Sequence, residues 1–262
     1  MSLFAAYIAL GLVVGFVAGL LGVGGGLIIV PVLIALFQAY AIASGMEPQL
    51  ALGTSLASIL FTSISSMRAH HRHGVVEWPL VRRITPGVIV GTLLGALLAT
   101  LMSAAVLKLC FTVFLFYAAT QMWLDFKPRP HRNLPGAAGT TLAGAIIGAV
   151  SSWVGIGGGT LSVPFMLWHN LALHRAIATS SAIGLPIAIA GAAGYMLGGW
   201  GANLPEYSLG FIYLPALAGI VLGSVLTAPL GARTAHRLPV RPLKRIFALL
   251  LYILAIRMVL TL

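Results

Sequence analysis

Long apolar stretches, separated by short clusters of charged or helix-breaking residues, dominate the chain. Residues 1–46 and residues 133–168 contain no Asp, Glu, Lys, Arg or His. A transmembrane helix needs about 20 apolar residues, so each of these stretches is too long for one span and suits two. The segments between charges and breakers predict ten helices, at residues 4–21, 27–43, 50–67, 79–102, 105–124, 137–154, 160–173, 176–198, 208–230 and 243–261.

Composition assigns these helices to lipid. The chain is 60% hydrophobic and 7% charged, whereas soluble domains are about 25% charged. We therefore predict an all-α polytopic membrane protein with about 8–10 transmembrane or re-entrant helices. The net charge of +11 does not indicate a nucleic-acid partner, because the basic residues form short clusters between apolar runs and no basic module. The single cysteine, Cys110, excludes an intramolecular disulfide.

The chain contains an internal duplication. The halves are predicted as a first membrane repeat at residues 1–126 and a second at 136–262, joined by a basic cytoplasmic linker at 127–135. Corresponding landmarks occur in the same order in both: the glycine clusters 24–26 and 157–159 with Pro31 and Pro164, the hydroxyl pairs 54–55 and 179–180, Glu77 and Glu206 as helix-opening acids, and Leu107-Lys108 and Leu243-Lys244.

The distribution of basic residues predicts that the two repeats are inverted. If each glycine cluster is a turn, each half has five segments, and the loops at 68–83, 125–136, 169–176 and 231–245 share one side. Lys108 and Arg257 are then left near helix ends on the other side, and the positive-inside rule makes the crowded side cytoplasmic, with both termini outside. The crowded side holds 13 of the 15 Lys and Arg residues: Arg68, Arg72, Arg82, Arg83, Lys127, Arg129, Arg132, Arg175, Arg233, Arg237, Arg241, Lys244 and Arg245.

The glycine clusters are the main candidates for substrate contact. Three glycines in a row destabilise a helix and expose backbone amides, and irregular backbone at membrane depth is tolerated where it lines a cavity. A half-helix is expected to begin just after each cluster, with its positive dipole end suited to an anion. Close helix packing is the alternative reading. The candidate residues are Gly24, Gly25, Gly26, Gly157, Gly158 and Gly159.

Hydroxyl pairs at corresponding places in the two halves form the second candidate group, Thr54 and Ser55 with Thr179 and Ser180. They could donate to an anion, or simply bond a carbonyl one turn back in their own helix. The four acids and seven histidines fall in loops or at helix ends. No catalytic residues, metal ligands or cofactor site are therefore predicted, and an enzyme is not expected.

The glycine motifs carry a family likeness. Residues 19–26 followed by Pro31, their echo at 155–159 followed by Pro164, and Gly53-Thr54-Ser55 resemble the sulfite exporter TauE/SafE family of membrane permeases. The second half departs from this pattern, with Ala178 in place of Gly53. The resemblance covers essentially the whole chain. It implies about eight or nine spans and a prokaryotic inner-membrane carrier for sulfite, sulfonates or related organosulfur acids.

Together these readings predict a secondary transporter for small sulfur-containing anions, working by alternating access. A passive anion channel is the alternative, because channels also use helix ends and glycine loops. The expected partners are the anion, the lipid bilayer and a coupling proton or sodium ion. The sequence leaves the substrate, the direction of transport, the coupling ion and the oligomeric state open, with a homodimer as one option.

Overall fold

The computed structural model of the chain describes residues 3–21, 25–72, 75–124, 134–235 and 240–261. These residues are almost entirely helical and contain no strand beyond one isolated bridge, between Ser208 and Tyr213. Most of the 127–135 linker and Gly24 lie outside the described residues. The ten helices are α1 (Leu3–Leu21), α2 (Gly26–Ala39), α3 (Glu47–Arg72), α4 (Trp78–Leu101), α5 (Ala104–Leu124), α6 (Ala137–Val154), α7 (Gly159–Trp168), α8 (Leu173–Gly198), α9 (Leu214–Ala235) and α10 (Val240–Leu260).

The predicted all-α membrane architecture is confirmed. Within the described residues, seven helices are long and apolar enough to cross a membrane: α1, α3, α4, α5, α6, α8 and α9. Helices α2 and α7 have 14 and 10 residues. At about 1.5 Å per residue they measure roughly 21 and 15 Å, short of a hydrocarbon core of about 30 Å. The segments after the glycine clusters are therefore too short to span.

One helix starts later than predicted. Helix α9 begins at Leu214 and not near residue 208, because residues 208–213 form a tight turn in which Leu209 and Ile212 exchange backbone hydrogen bonds. Gly210 enters the left-handed region there, with φ 53°. Glu206 consequently lies in a turn and opens no helix, whereas Glu77 directly precedes α4 as expected.

Two helix pairs pack closely through small residues. Helix α1 lies along α9, where a Cβ on Gly11 would come within 2.5 Å of the Ile220 carbonyl oxygen. Helix α4 lies along α6, where Gly91 meets the backbone of Ala145. Such spacing lets membrane helices approach to backbone contact. In both pairs the contacts advance together along the chain, so the paired helices run in the same direction.

Other helix contacts show the same correspondence between the two halves of the chain. Helix α3 packs on α8 and α5 packs on α10. Helix α2 contacts α3, just as α7 contacts α8. Swapping each helix for its counterpart five places along therefore reproduces the larger contacts, whereas the smaller α2–α10 and α3–α5 contacts have no counterpart of similar extent. Most of the packing joins one half to the other.

These contacts define two ends of the bundle. At the Tyr213 end lie the starts of α3, α5 and α9 and the ends of α4 and α10, tied by bonds such as Gln49 Nε2 to the Met102 carbonyl, 2.9 Å. At the Glu77 end lie the starts of α4, α6 and α8, where Thr141 donates to the Arg83 carbonyl. The described basic side chains at the Glu77 end are Arg68, Arg82, Arg83, Arg175, Lys244 and Arg245.

Lys108 lies near the start of α5, so it is near a helix end as predicted. Its side chain could have extended outward to the interface, but it is only 6% exposed. Its ammonium group donates to the Thr261 carbonyl at 2.6 Å, just beyond the end of α10. The carbonyls at a helix C-terminus carry partial negative charge, which explains why the cation is held inward.

Candidate functional site

The first glycine cluster lies against the backbone just before the second, inside the protein. Helix α2 begins at Gly26, as predicted, after Gly25 in the left-handed region with φ 73°. A Cβ on Gly26 would collide with the carbonyl oxygen of Gly155, which ends α6. Both glycines are buried. The start of α2 therefore lies against the backbone that leads into α7.

Helix α3 ties the second cluster in place. The Ser55 hydroxyl donates to the Gly155 carbonyl at 2.8 Å, and the Ser58 hydroxyl donates to the Ser55 carbonyl at 2.7 Å. Gly155 has φ 62°, a conformation that glycine adopts without a steric penalty. The Ser55 hydroxyl, a predicted substrate ligand, thus donates its proton to the backbone two residues before the second cluster.

The glycines before α7 differ in the space around them. A Cβ on Gly158 would lie 3.2 Å from the Ser180 carbonyl oxygen and 3.4 Å from the Gly184 nitrogen. A Cβ on Gly157 would meet only the Ile59 side chain, at 3.4 Å. Gly157 is nonetheless buried, so its backbone borders the most open interior space in the cluster. Gly159 starts α7, as expected.

Both short helices aim their amino ends into this region. The first-turn amides of α2 and α7 have no acceptor within their own helices, and each helix start carries a partial positive charge. A partly buried helix end contributes up to about 2 kcal/mol toward an anion, so two ends give about 4 kcal/mol. That corresponds to a dissociation constant of about 1 mM.

The two threonines lie away from the clusters and form cross-half bonds. Thr54 donates to the Leu50 carbonyl at 2.6 Å and accepts from the Tyr213 amide at 2.9 Å. Thr179 accepts from the Glu77 amide at 3.1 Å. Each hydroxyl therefore holds the residue that precedes the long helix of the other half. Thr54 lies at the Tyr213 end and Thr179 at the Glu77 end.

The Ser180 hydroxyl forms the bond that was the alternative to anion binding: it donates to the Ile177 carbonyl at 2.8 Å, one turn back in α8. Of the ten candidate residues, the structure brings Gly25, Gly26, Ser55 and Ser180 to the contact between the clusters, together with residues 157–159. It leaves the two threonines at opposite ends. Gly24 lies outside the described residues.

Three hydroxyls at this site were not anticipated from the sequence. The buried hydroxyl oxygens of Ser151 and Thr160 have no hydrogen-bond partner among the described residues. A Cβ on Gly184 would lie 3.2 Å from the Ser63 hydroxyl and 3.6 Å from the Gly158 nitrogen, so Ser63 also borders the cluster. Ser151 and Thr160 flank the second cluster, and that adjacency is the signal that could have identified them. The repeat conceals it, because Ala18 and Leu27 hold the corresponding places in the first half.

Charged groups are remote from this region among the described residues. Glu77 pairs with Arg175 at the Glu77 end, where the two side chains are 29% and 53% exposed. Glu47 accepts a hydrogen bond from the Gly45 amide in an exposed turn. No group of three or more His, Cys, Asp or Glu residues that could hold a metal ion occurs within the described ranges. The site therefore offers amides and hydroxyls, the donors that suit a small oxyanion.

Comparison with known proteins agrees with this setting. The sequence profile of the family described as "Sulfite exporter TauE/SafE" matches residues 7–258. No solved structure matches the chain.

Several relatives carry the same general description. A probable membrane transporter protein of Haemophilus influenzae is 38% identical over 251 residues, covering 95% of each chain. The probable membrane transporter protein YunE of Bacillus subtilis is 26% identical, covering 98% of this chain and 97% of its own. A probable membrane transporter protein of Methanocaldococcus jannaschii is also 26% identical, covering 97% and 94%.

Proposed function

Because the chain belongs to the sulfite exporter TauE/SafE family of membrane transporters, we propose that it is a secondary transporter for small sulfur oxyanions such as sulfite or a sulfonate. The contact between the two glycine clusters carries this proposal. There the start of α2 lies against the backbone that leads into α7. Ser151 and Thr160, whose buried hydroxyls have no hydrogen-bond partner among the described residues, flank the second cluster along the chain. A sulfur oxyanion presents up to three oxygens to such donors.

Weak binding suits a carrier. Two helix ends supply about 4 kcal/mol, or millimolar affinity, and hydroxyl donors add to this. The described basic side chains near the bundle ends do not reach the clusters, so no full positive charge would hold the anion there. A carrier must release its substrate on the far side, and partial charges permit that release.

Alternating access between inverted repeats is the proposed mechanism. One support is that the larger helix contacts of the first half have counterparts in the second. Another is that the short helices α2 and α7 lead away from the clusters toward opposite ends of the bundle. Transporters built from inverted repeats place their substrate at such interrupted helices. Rocking of the halves would open the Tyr213 end and the Glu77 end in turn.

The proposed setting is the prokaryotic inner membrane, with the Glu77 end cytoplasmic and both termini outside. The concentration of described basic side chains at that end supports this orientation through the positive-inside rule. A proton or sodium ion is the proposed coupling ion, and we propose no catalytic activity.

Counterflow in proteoliposomes tests the function. Vesicles are preloaded with unlabelled sulfite, a sulfonate, sulfate or acetate, and uptake of the matching labelled anion is followed. The proposal predicts transient accumulation with sulfite or the sulfonate and none with acetate. Protein-free vesicles and the Gly158→Leu variant serve as controls, because a large side chain at Gly158 would fill the cluster.

Two results would contradict the proposal in different ways. Flux without counterflow would indicate a passive anion channel, since only a carrier exchanges bound substrate across the membrane. Absence of flux with every sulfur anion would remove the substrate class while leaving family membership intact.

A further inference from the structure

A small crevice opens between α2 and α10 at the Tyr213 end. Pro31 and Ile34 of α2 and Leu254 and Met258 of α10 form its apolar part. Ala35 also lines the crevice, together with three polar residues, Gln38, Arg257 and Thr261. All three are exposed, whereas Pro31 is buried. The crevice therefore has a polar mouth and an apolar floor.

Arg257 is the unusual residue at this mouth. Among the described residues, Arg257 and Lys108 are the two Lys or Arg residues at the Tyr213 end, and no described residue forms an ion pair or hydrogen bond with the Arg257 guanidinium group. A guanidinium group presents five N–H donors in a planar fork that matches an oxyanion. Arg257 lies in the last turn of α10, where the helix dipole stabilises a cation. That interaction does not use the N–H donors of the guanidinium group.

A second cation strengthens the positive potential at the crevice. Lys108 donates to the carbonyl of Thr261, which lines the mouth. The Thr261 hydroxyl lies within reach of the backbone carbonyls of Met258 and Arg257, at 3.2 and 3.3 Å, so Thr261 lies beside both cationic residues. The Gln38 amide adds a neutral donor from the facing helix. Among the described residues, the acids at this end, Glu47 and Glu206, form no ion pair with either cation.

We propose that this crevice is an oxyanion-binding site, with the Arg257 guanidinium as its principal donor and Gln38 and Thr261 beside it. The crevice reaches Pro31, five residues along α2 from Gly26, or about 7.5 Å at 1.5 Å per residue. An anion held there would lie about one and a half turns of α2 from the first glycine cluster. A free sulfur oxyanion and the phosphate of an anionic lipid share this chemistry. The role as an entry site rests on the proposed transport function, whereas binding itself does not.

The test is equilibrium binding to the purified full-length protein in nanodiscs. Labelled sulfite is titrated in neutral phosphatidylcholine discs, and again in discs containing phosphatidylglycerol. Arg257→Gln removes the charge and installs the residue found at the corresponding position of the first half, Gln121. Arg257→Lys retains the charge. Arg245→Gln is the matched control, because Arg245 lies near the other end of α10 and stacks on Trp123 at 5.8 Å.

The proposal predicts that Arg257→Gln weakens sulfite binding about tenfold, the loss expected for hydrogen bonds to a charged group. Arg245→Gln stays within about twofold of the wild-type protein, and Arg257→Lys, which keeps the charge but lacks the planar fork, falls between the wild-type protein and Arg257→Gln. Gln38→Leu, which preserves every charge, weakens binding less, and it keeps the test open if Arg257→Gln folds poorly.

The discs that contain phosphatidylglycerol distinguish a free sulfur oxyanion from a lipid phosphate as the bound group. If phosphatidylglycerol competes with sulfite, or if native mass spectrometry finds this lipid retained by wild-type protein and lost in Arg257→Gln, the site takes a lipid phosphate. Unchanged sulfite binding and lipid retention in Arg257→Gln would overturn the proposal. Counterflow measured in parallel distinguishes the failures: active counterflow with unchanged binding removes only the crevice site, and absent wild-type counterflow removes only the transport proposal.

Discussion

Corresponding glycines in the two clusters are constrained in different ways. Gly25 has φ 73° and a Cβ there would lie 2.5 Å from Val14 Cγ1, so this position requires glycine for its backbone. Its counterpart Gly158 has an ordinary helical φ of −61° and is limited by neighbouring backbone instead. The sequence predicts that both clusters interrupt helices, because three glycines weaken any helix. It does not predict which glycine is strained, since that depends on the packing of α1 and α8.

Alanine at two glycines should separate folding from transport. Gly25→Ala places a side chain in the left-handed region, at a cost of about 1–2 kcal/mol, and lowers the melting temperature of the purified protein. Gly157→Ala meets only Ile59, so it leaves the melting temperature near wild type while reducing sulfite counterflow. Thermal unfolding followed by tryptophan fluorescence checks the first claim. Wild-type counterflow in Gly157→Ala would place the substrate away from this backbone.

Removing the unpartnered hydroxyls should affect stability and transport in opposite directions. A buried polar group without a partner costs about 1–3 kcal/mol, so Ser151→Ala and Thr160→Val leave the melting temperature unchanged or raise it. If these hydroxyls donate to a bound oxyanion, the KM for sulfite rises about tenfold, because hydrogen bonds to charged groups are worth about 1.5–3 kcal/mol. Thr62→Val on α3 is the control, since its hydroxyl bonds the Ile59 carbonyl. An unchanged KM in both variants would exclude the two hydroxyls from the site.

Helix ends are the elements that tie the halves together. Thr54 holds the start of α9 through Tyr213, and Thr179 holds the start of α4 through Glu77. The Tyr213 ring also packs edge-on against Tyr7 and Phe37, with centroids 6.2 and 5.8 Å away. The hydroxyl pattern was visible in the sequence, but its partners lie 159 and 102 residues away. Such contacts follow from tertiary packing, which local spacing does not encode.

Breaking either threonine bond should open the matching end. Thr54→Val leaves the Tyr213 amide without its acceptor, a loss of about 1 kcal/mol or roughly fivefold in the closed population. A cysteine at Gly157 in a Cys110→Ala background then reacts faster with an impermeant maleimide added from the Tyr213 side. Thr179→Val raises labelling from the Glu77 side. The serine variants, which keep the hydroxyl, should be labelled like the parent. Equal labelling from both sides in either valine variant would contradict the assignment of each threonine to closure at one end.

For the whole molecule, the sequence predicts the number and order of helices well, because charges and glycines mark their ends. The start of α9 was misjudged, since the turn at residues 208–213 is apolar enough to resemble a helix. The ion pair between Glu77 and Arg175 was also not anticipated, because it joins the residue before α4 to the first turn of α8, in the other half. These features depend on how the halves meet.

That ion pair should bias the bundle toward closure at the Glu77 end. Being partly exposed, it contributes at most about 1 kcal/mol and is weakened by salt. Glu77→Gln should raise maleimide labelling of the Gly157→Cys reporter from the Glu77 side up to about fivefold. High salt should bring the parent toward the variant and leave Glu77→Gln itself unchanged. If high salt changed the labelling of both proteins equally, the ion pair would not contribute to closure at the Glu77 end.

The pairing of α1 with α9 also has a consequence for biogenesis. Helix α1 ends at Leu21 and its partner begins at Leu214, so 192 residues must be synthesised between them. At about 5–20 residues per second this takes roughly 10–40 s. During that time the Gly11 and Gly15 face of α1 lies in the bilayer without the backbone it will contact. The nascent chain therefore depends on lipid, or on the insertion machinery, to shield its first helix until the last quarter of the protein arrives.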